Sequence, residues 1–170
     1  MDDKRSPAAP GSLLEGCFTG RSDFTDLVRQ AFAAAAAQGW REIILCDANF
    51  EDWPLGEREV TQSLNAWSKS GRKLTILAKS FVDLQRRHAR FVSWRQTWAH
   101  IVECRASAAT AADDMPSALW SPGWVFERRD LQRCTGLAGS GVARRVELKE
   151  RLKEQLLRSS PAFAASTLGL

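Results

Sequence analysis

The feature that most constrains the fold is a pair of short apolar runs separated by one amphipathic segment. Residues 42–47 (Glu-Ile-Ile-Leu-Cys-Asp) are apolar on both faces, which is typical of a central parallel strand covered by helices. Residues 54–70 have helical periodicity, and residues 72–78 form a second apolar run. The sequence therefore predicts a β-α-β unit over residues 42–78, with its two strands parallel.

Periodicity also predicts the elements on either side of this unit. A helix is expected before it, ending at Gly39, and one broken helix or two short ones over residues 81–98. A third strand is expected over residues 101–105. Ser121-Pro122-Gly123 fits a type II turn, which indicates a β-hairpin. We expect a flexible connection at residues 136–141 and a last helix over 142–158, whose inward side chains are Val142, Val146, Leu148, Leu152 and Leu156.

These elements predict one α/β domain in three α-β-α layers. Its sheet is expected to be mixed but mostly parallel, with the hairpin in the C-terminal half and a final helix. We divide the chain into a flexible N-terminus (1–12), the domain (13–160) and an apolar C-terminal tail (161–170) that docks on the domain or on a partner.

Composition narrows the cellular setting. The 170 residues include four cysteines without a C-x-x-C pair, so neither a zinc site nor a thioredoxin-like motif is indicated. Two of them, Cys46 and Cys104, lie in apolar runs, as free thiols do in a reducing compartment. No signal peptide or membrane-spanning run is present in the sequence, which predicts a cytoplasmic protein that does not bind membranes.

The order of helix, strand 43–47, helix and Gly71-Arg72-Lys73-Leu74-Thr75-Ile76-Leu77 resembles the opening half of a phospholipase D-like domain. The resemblance covers residues 20–130. It implies that a later strand carries the motif H-x-K-x-x-x-x-D, with histidine as nucleophile and lysine holding the phosphate charge. It also implies a homodimer, since halves of that fold pair.

The motif itself is missing. In the strand that should carry it, residues 116–120, Ser117 and Leu119 occupy the positions of the histidine and the lysine. The nearest approach is His88-Ala-Arg90, which lies in helical sequence and is not followed by the aspartate. The resemblance therefore implies a non-catalytic relative without a cofactor, which binds a ligand or a partner.

An acidic segment gives the alternative function. Ligands of open α/β sheets bind beyond the carboxyl ends of the strands, where this chain carries residues 47–54. Asp47, Glu51 and Asp52 could hold Mg²⁺, which would make the protein a metal-dependent hydrolase or phosphotransferase. Alternatively, Glu51 and Asp52 only precede a helix N-terminus, where negative charge is favoured, and no defined metal loop is matched.

Aromatic and basic residues complete the predicted ligand-binding set. Seven tryptophans occur; those at 67, 94 and 98 fit helical core positions, whereas Trp53, Trp120 and Trp124 are candidates for a pocket or a partner surface. The densest basic cluster provides either phosphate contacts or a solvated helix junction; its members are Arg86, Arg87, His88, Arg90 and Arg95. The predicted ligand-binding residues are Asp47, Asp52, Trp53, Arg86, Arg87, His88 and Arg90.

Charge is distributed unevenly along the chain. Residues 1–60 contain 6 Lys/Arg and 11 Asp/Glu, whereas residues 61–170 contain 18 and 9. Clustered cations attract phosphates, so nucleic-acid binding through the basic part stays open, although a solvated surface is the preferred interpretation. The expected partners are a second copy of the chain, another protein or a small anion, with nucleic acid less favoured.

Overall fold

The computed structural model describes residues 12–165. Its elements follow one another in the order β1 (Gly16–Phe18), α1 (Arg21–Gln38), β2 (Glu42–Asp47), α2 (Arg58–Ser68), β3 (Lys73–Ala78), α3 (Val82–Arg87), α4 (Ala89–Thr97), β4 (Val102–Ala106), β5 (Ser117–Trp120), β6 (Val125–Asp130), β7 (Thr135–Gly139), α5 (Val142–Leu157) and β8 (Ser160–Pro161), with a 3₁₀ turn at Ala112–Asp114.

The predicted β-α-β unit is confirmed. Strands β2 and β3 pair in parallel, Glu42 opposite Lys73, and β4 continues the parallel pairing on the other side of β3. Helix α1 ends at Gly39, whose left-handed φ of 66° lets its N–H bond to the carbonyl of Ala35. The segment before β4, expected to form one broken helix or two short ones, forms the two short helices α3 and α4.

The sheet as a whole is mostly antiparallel, which corrects the predicted mostly parallel sheet. Its order is β1-β7-β6-β5-β2-β3-β4-β8, with two parallel and five antiparallel strand pairs in the described chain. The expected hairpin forms β5 and β6, and β7 extends it. Short connections link these three strands, so they must run antiparallel, whereas a parallel neighbour needs a long crossover.

Strand β7 was predicted to be a flexible connection, and this was wrong. Gly136 lies so close to strand β6 that an added Cβ would be 2.0 Å from the carbonyl oxygen of Glu127. Glycine therefore serves here to let two backbones approach, not to loosen a loop.

The core consists of two apolar clusters built from alternate strand residues. Ile43 and Leu45 of β2 join the larger cluster with α1, α2 and α4, whereas Ile44 and Cys46 join the smaller one with Leu148 and Leu152 of α5. The last helix thus lies where it was predicted, but Val142 and Val146 are 66% and 52% exposed, which corrects their inward assignment. Of the C-terminal tail, Ala162 and Phe163 pack against the larger cluster, and residues 166–170 lie outside the described range.

No helix within residues 12–165 combines the length and apolar character that crossing a membrane requires.

Candidate nucleic-acid interface

The edge of the sheet at which β2 and β3 end carries the predicted ligand-binding residues. We call it the carboxyl edge. The backbone N–H groups of Asn49 and Phe50 donate to Oδ2 of Asp47, at 3.2 and 2.8 Å, and hold the loop after β2 in a tight turn. In this turn Phe50 takes a left-handed φ of 56°. The expected segment therefore does form an ordered loop beside the strand ends.

The acidic residues of this loop are paired with Arg128 of β6. Nη2 of Arg128 lies 3.2 Å from Oδ1 of Asp47, and Asp52 accepts two further bonds, at 2.5 Å from Nη1 and 3.0 Å from Nη2. Nε of Arg128 donates to Oγ of Ser117, and the guanidinium lies 4.2 Å from the ring centre of Phe24. The two carboxylates thus already have a cation between them.

The pKa of Arg128 reflects this setting. Burial acts to lower it, but the hydrogen bonds and charges of Asp52, with the charge of Asp47, outweigh burial and raise the pKa above its ordinary value. Arg128 therefore stays charged in the core and serves as a fixed structural cation.

The predicted metal-dependent function is wrong because Arg128 already pairs with Asp47 and Asp52, two of the carboxylates that were expected to bind the metal. Oxygen ligands for Mg²⁺ must turn their lone pairs towards the ion, and here those of Asp47 and Asp52 are turned towards Arg128. Across residues 12–165, no group of three or more His, Cys, Asp and Glu side chains is arranged to hold a metal ion.

The basic cluster meets the same loop through separate contacts. Arg87 pairs with Glu51 at 3.0 Å, Nε2 of the buried His88 lies 2.8 Å from the carbonyl oxygen of Phe50, and Arg90 donates to the carbonyl of Gly56 at 3.0 Å. Arg86 is exposed. The structure thus brings the two predicted segments together, but their polar groups bind one another and fasten α3 and α4 to the loop.

The three tryptophans predicted to line a pocket or a partner surface are buried. Trp53 packs among aromatic rings, with centroids 5.0 Å from Phe50 and 5.4 Å from Phe126. Trp120 and Trp124 donate their indole N–H groups to backbone carbonyls. All three stabilise the core, so none offers a free ring for stacking.

The opposite edge of the sheet, where β2 and β3 begin, carries a group of exposed cations. We call Arg41, Lys69, Arg72 and Lys73 the amino-edge cluster. Because β2 and β3 are parallel, the residues before them lie side by side: the N–H groups of Arg72 and Lys73 donate to the carbonyl of Arg41 at 2.9 and 3.2 Å. Lys69 joins them from the end of α2.

The packing beneath this cluster is rigid. Nε1 of Trp67 donates to the carbonyl of Trp40 at 2.6 Å and joins the end of α2 to the start of β2. Gly71 lies flat against the Trp67 ring, where an added Cβ would be 2.4 Å from the nearest ring atom. The cations are therefore displayed from a fixed backbone.

Few carboxylates neutralise the amino-edge cluster. Lys73 pairs with Glu103 at 3.2 Å, and Glu103 is shared with Arg105. Arg72 donates to the carbonyl of Ser70, and within residues 12–165 neither Arg41 nor Lys69 forms an ion pair. Exposed cations without a carboxylate partner therefore give this edge a positive local potential.

Helix α5 adds cations near the same edge. Lys149 lies 3.9 Å from Glu42, the first residue of β2, and 4.1 Å from the ring centre of Trp120. Arg145 donates to the carbonyls of Ser140 and Pro122, in the connections beside it. None of the cations at this edge was among the residues predicted from the sequence, although an arginine before each of two parallel strands, Arg41 and Arg72, was a usable signal.

Comparisons with known proteins find solved structures of similar fold but no similar sequence family. No protein-family profile matches the chain, and no curated protein is similar to it in sequence. A solved structure with a TM-score of 0.65 and 17% identity covers 93% of this chain and 57% of that one. It is TrmBL2, described as an archaeal chromatin protein with a novel mode of DNA binding.

This match overturns the predicted phospholipase D-like assignment and the non-catalytic ligand-binding function inferred from it. The strand that was expected to carry the catalytic motif is β5, and it presents Ser117 and Leu119 instead. The match covers 57% of the TrmBL2 chain, so the similarity in fold extends over only part of that protein.

Proposed function

We propose that this protein binds DNA through the amino-edge cluster, by contacts to backbone phosphates. The observation that carries the proposal is the group of exposed cations at one edge of the sheet, two of them, Arg41 and Lys69, without an ion-pair partner in the described chain. Neutralising phosphates with such cations releases condensed counterions and supplies most non-specific affinity for DNA.

The arrangement fits the phosphate backbone better than exposed bases. Trp40 and Trp98 are half-buried at this edge and pack against the core, and the other tryptophans near it are buried, so all are poorly placed to stack on unpaired bases. Arg41, Lys69 and Arg72 are instead long, exposed donors. Contacts of this kind position a duplex without reading its sequence.

The structural neighbour supports the same function. TrmBL2 is described as binding DNA, and this chain shares its fold over 93% of its own length. The positive excess of residues 61–170 agrees with an anionic partner. Nucleic acid, expected from the sequence to be the less favoured partner, thus becomes the favoured one.

The test is a salt titration of DNA affinity. Fluorescence anisotropy would follow a labelled duplex of about 20 base pairs, long enough to span one small domain, at several salt concentrations. The variant Arg41→Gln/Lys69→Gln/Arg72→Gln removes three charges but keeps side-chain length. The slope of log K against log salt is negative, and each lost phosphate contact makes it less steep by about 0.9. We therefore expect the variant's slope to be less negative by roughly 3.

A matched control lies at the carboxyl edge. Arg58→Gln/Arg86→Gln/Arg133→Gln removes three exposed charges there, and it should leave the slope nearly unchanged. Equal loss in both variants would show that net charge alone attracts DNA, and absence of salt-sensitive binding by the unaltered protein would refute the proposal. Duplexes of different sequence should bind alike.

A further inference from the structure

A second cationic site lies inside the domain, at Arg95 of α4. This residue is only 6% exposed, and its Nε and Nη1 are buried without a hydrogen-bond partner. Its remaining nitrogen, Nη2, donates to the carbonyl of Phe163 at 3.3 Å. No carboxylate of residues 12–165 pairs with it. A buried guanidinium whose polar neighbours are one carbonyl and one thiol lacks the anion that normally compensates such a charge.

The contrast with Arg128 shows what is missing. That arginine is equally buried, but two carboxylates, a hydroxyl and a sulfur accept from it. Arg95 is surrounded instead by the thiol of Cys104 and the ring of Phe163, whose centre is 5.8 Å from the guanidinium carbon. The chain thus compensates one buried arginine and leaves the other without a counterion.

The segment that covers Arg95 is weakly attached. We call residues 160–163 the C-terminal strap. It pairs with β4 over only two residues, one of which is Pro161, which has no N–H to donate. Phe163 takes a left-handed φ of 46°, which is unfavourable for a residue with a side chain. The strap is held mainly by the bond from the N–H of Ala162 to the carbonyl of Cys104 and by stacking of Phe163 on Phe81.

The residue just before the strap is held more firmly. Arg105 donates to Oγ of Ser159 at 2.7 Å and to its carbonyl at 2.8 Å. The strap can therefore lift from a fixed point at Ser159. Its movement would take the carbonyl of Phe163 away from Nη2 of Arg95. A guanidinium binds two oxygens through either Nε and Nη2 or Nη1 and Nη2, so Nη2 takes part in both arrangements. One displaced carbonyl would thus free a complete bidentate fork.

We propose that Arg95 is a binding site for a small oxyanion, the phosphate or carboxylate group of a soluble ligand, which enters when the C-terminal strap lifts. The planar fork of arginine matches two oxygens of either group. The site is separate from the proposed DNA interface, because Arg95 is buried beneath the strap whereas the cations of the amino-edge cluster are exposed.

The test uses inorganic phosphate and acetate as separate probes. Thermal unfolding would be followed in each salt at about 50 mM, against sodium chloride of equal ionic strength. With a dissociation constant of about 1 mM, binding should raise the melting temperature by roughly 5 °C. Phosphate also stabilises proteins by exclusion from their surface, so the same scan of Arg95→Met gives the baseline. An exposed-site control is Arg86→Met.

The outcomes separate the possibilities. A rise in one of the two salts that Arg95→Met loses and Arg86→Met keeps supports the site, and the effective salt identifies the group bound. An equal rise in all three proteins, or none, overturns it. If Arg95→Met does not fold, Arg95→Lys keeps the charge without the fork and should lose most of the rise. Phe163→Ala should lower the half-saturating concentration several-fold, whereas an unchanged value would overturn the role of the strap.

Discussion

Among single substitutions that remove an ion pair of the described chain, replacement of Arg128 should lower the free energy of unfolding most. The side chains of Arg128 and Asp47 are 2% and 5% exposed, and that of Asp52 is 26% exposed. In Arg128→Met, the carboxylate of Asp47 would stay buried with no cation beside it. Breaking a buried pair from one side costs about 3–5 kcal/mol. For a domain of this size, this corresponds to a melting temperature lower by roughly 10 °C.

Urea denaturation at neutral pH, followed by tryptophan fluorescence, would measure this free energy of unfolding. The matched control is Arg151→Met, because Arg151 pairs with Glu127 at 2.8 Å but is 40% exposed, and its loss should cost about 1 kcal/mol or less. Adding Asp47→Asn and Asp52→Asn to Arg128→Met should recover much of the stability, since no uncompensated charge remains. Similar costs for the two arginine variants would refute the reasoning.

Two further predictions concern packing and acid stability. Gly71→Ala would press a methyl group against the Trp67 ring and should cost about 1–3 kcal/mol in urea denaturation, whereas Gly123→Ala, with open space around it, should cost little. The hydrogen bond from Arg29 lowers the pKa of Glu57, so this pair stabilises the fold above the unfolded value of about 4.3 and ceases to do so as pH falls through the folded pKa. Melting temperatures measured from about pH 6 to pH 3 should therefore fall further in the unaltered protein than in Arg29→Met; parallel profiles would argue against the pair.

The sequence predicted those parts of the fold that depend on local pattern. The β-α-β unit and the hairpin of β5 and β6 are both present, although Gly123 does not take the positive φ that the expected type II turn requires. Strands β1 and β8, of three and two residues, are too short to show alternation and exist because neighbouring strands offer them hydrogen bonds. Strand β7 was missed because its glycines suggest a loop, whereas Gly136 is required by the closeness of β6.

The candidate sites differ in predictability for a related reason. Asp47 and Arg128 are 81 positions apart, and their contact depends on β6 returning to the carboxyl edge through an antiparallel half-sheet that was not predicted. One local signal did exist, since Arg128 shares a strand face with the core residue Phe126. An arginine on that face requires a buried acceptor. The amino-edge cluster needed only the parallel pairing of β2 and β3, which was predicted.

The two edges of the sheet should therefore respond differently to loss of charge. At the carboxyl edge, the buried charges of Arg128, Asp47 and Asp52 are matched within the fold, so removing one leaves another uncompensated and lowers stability. At the amino edge, Arg41 and Lys69 have no ion-pair partner in the described residues, so the fold loses little without them and keeps their charge available for a phosphate. Two results together would distinguish a structural ion network from a binding surface. Stability should fall only when Arg128 or one of its carboxylate partners is replaced, and DNA affinity should fall only when the amino-edge cations are replaced.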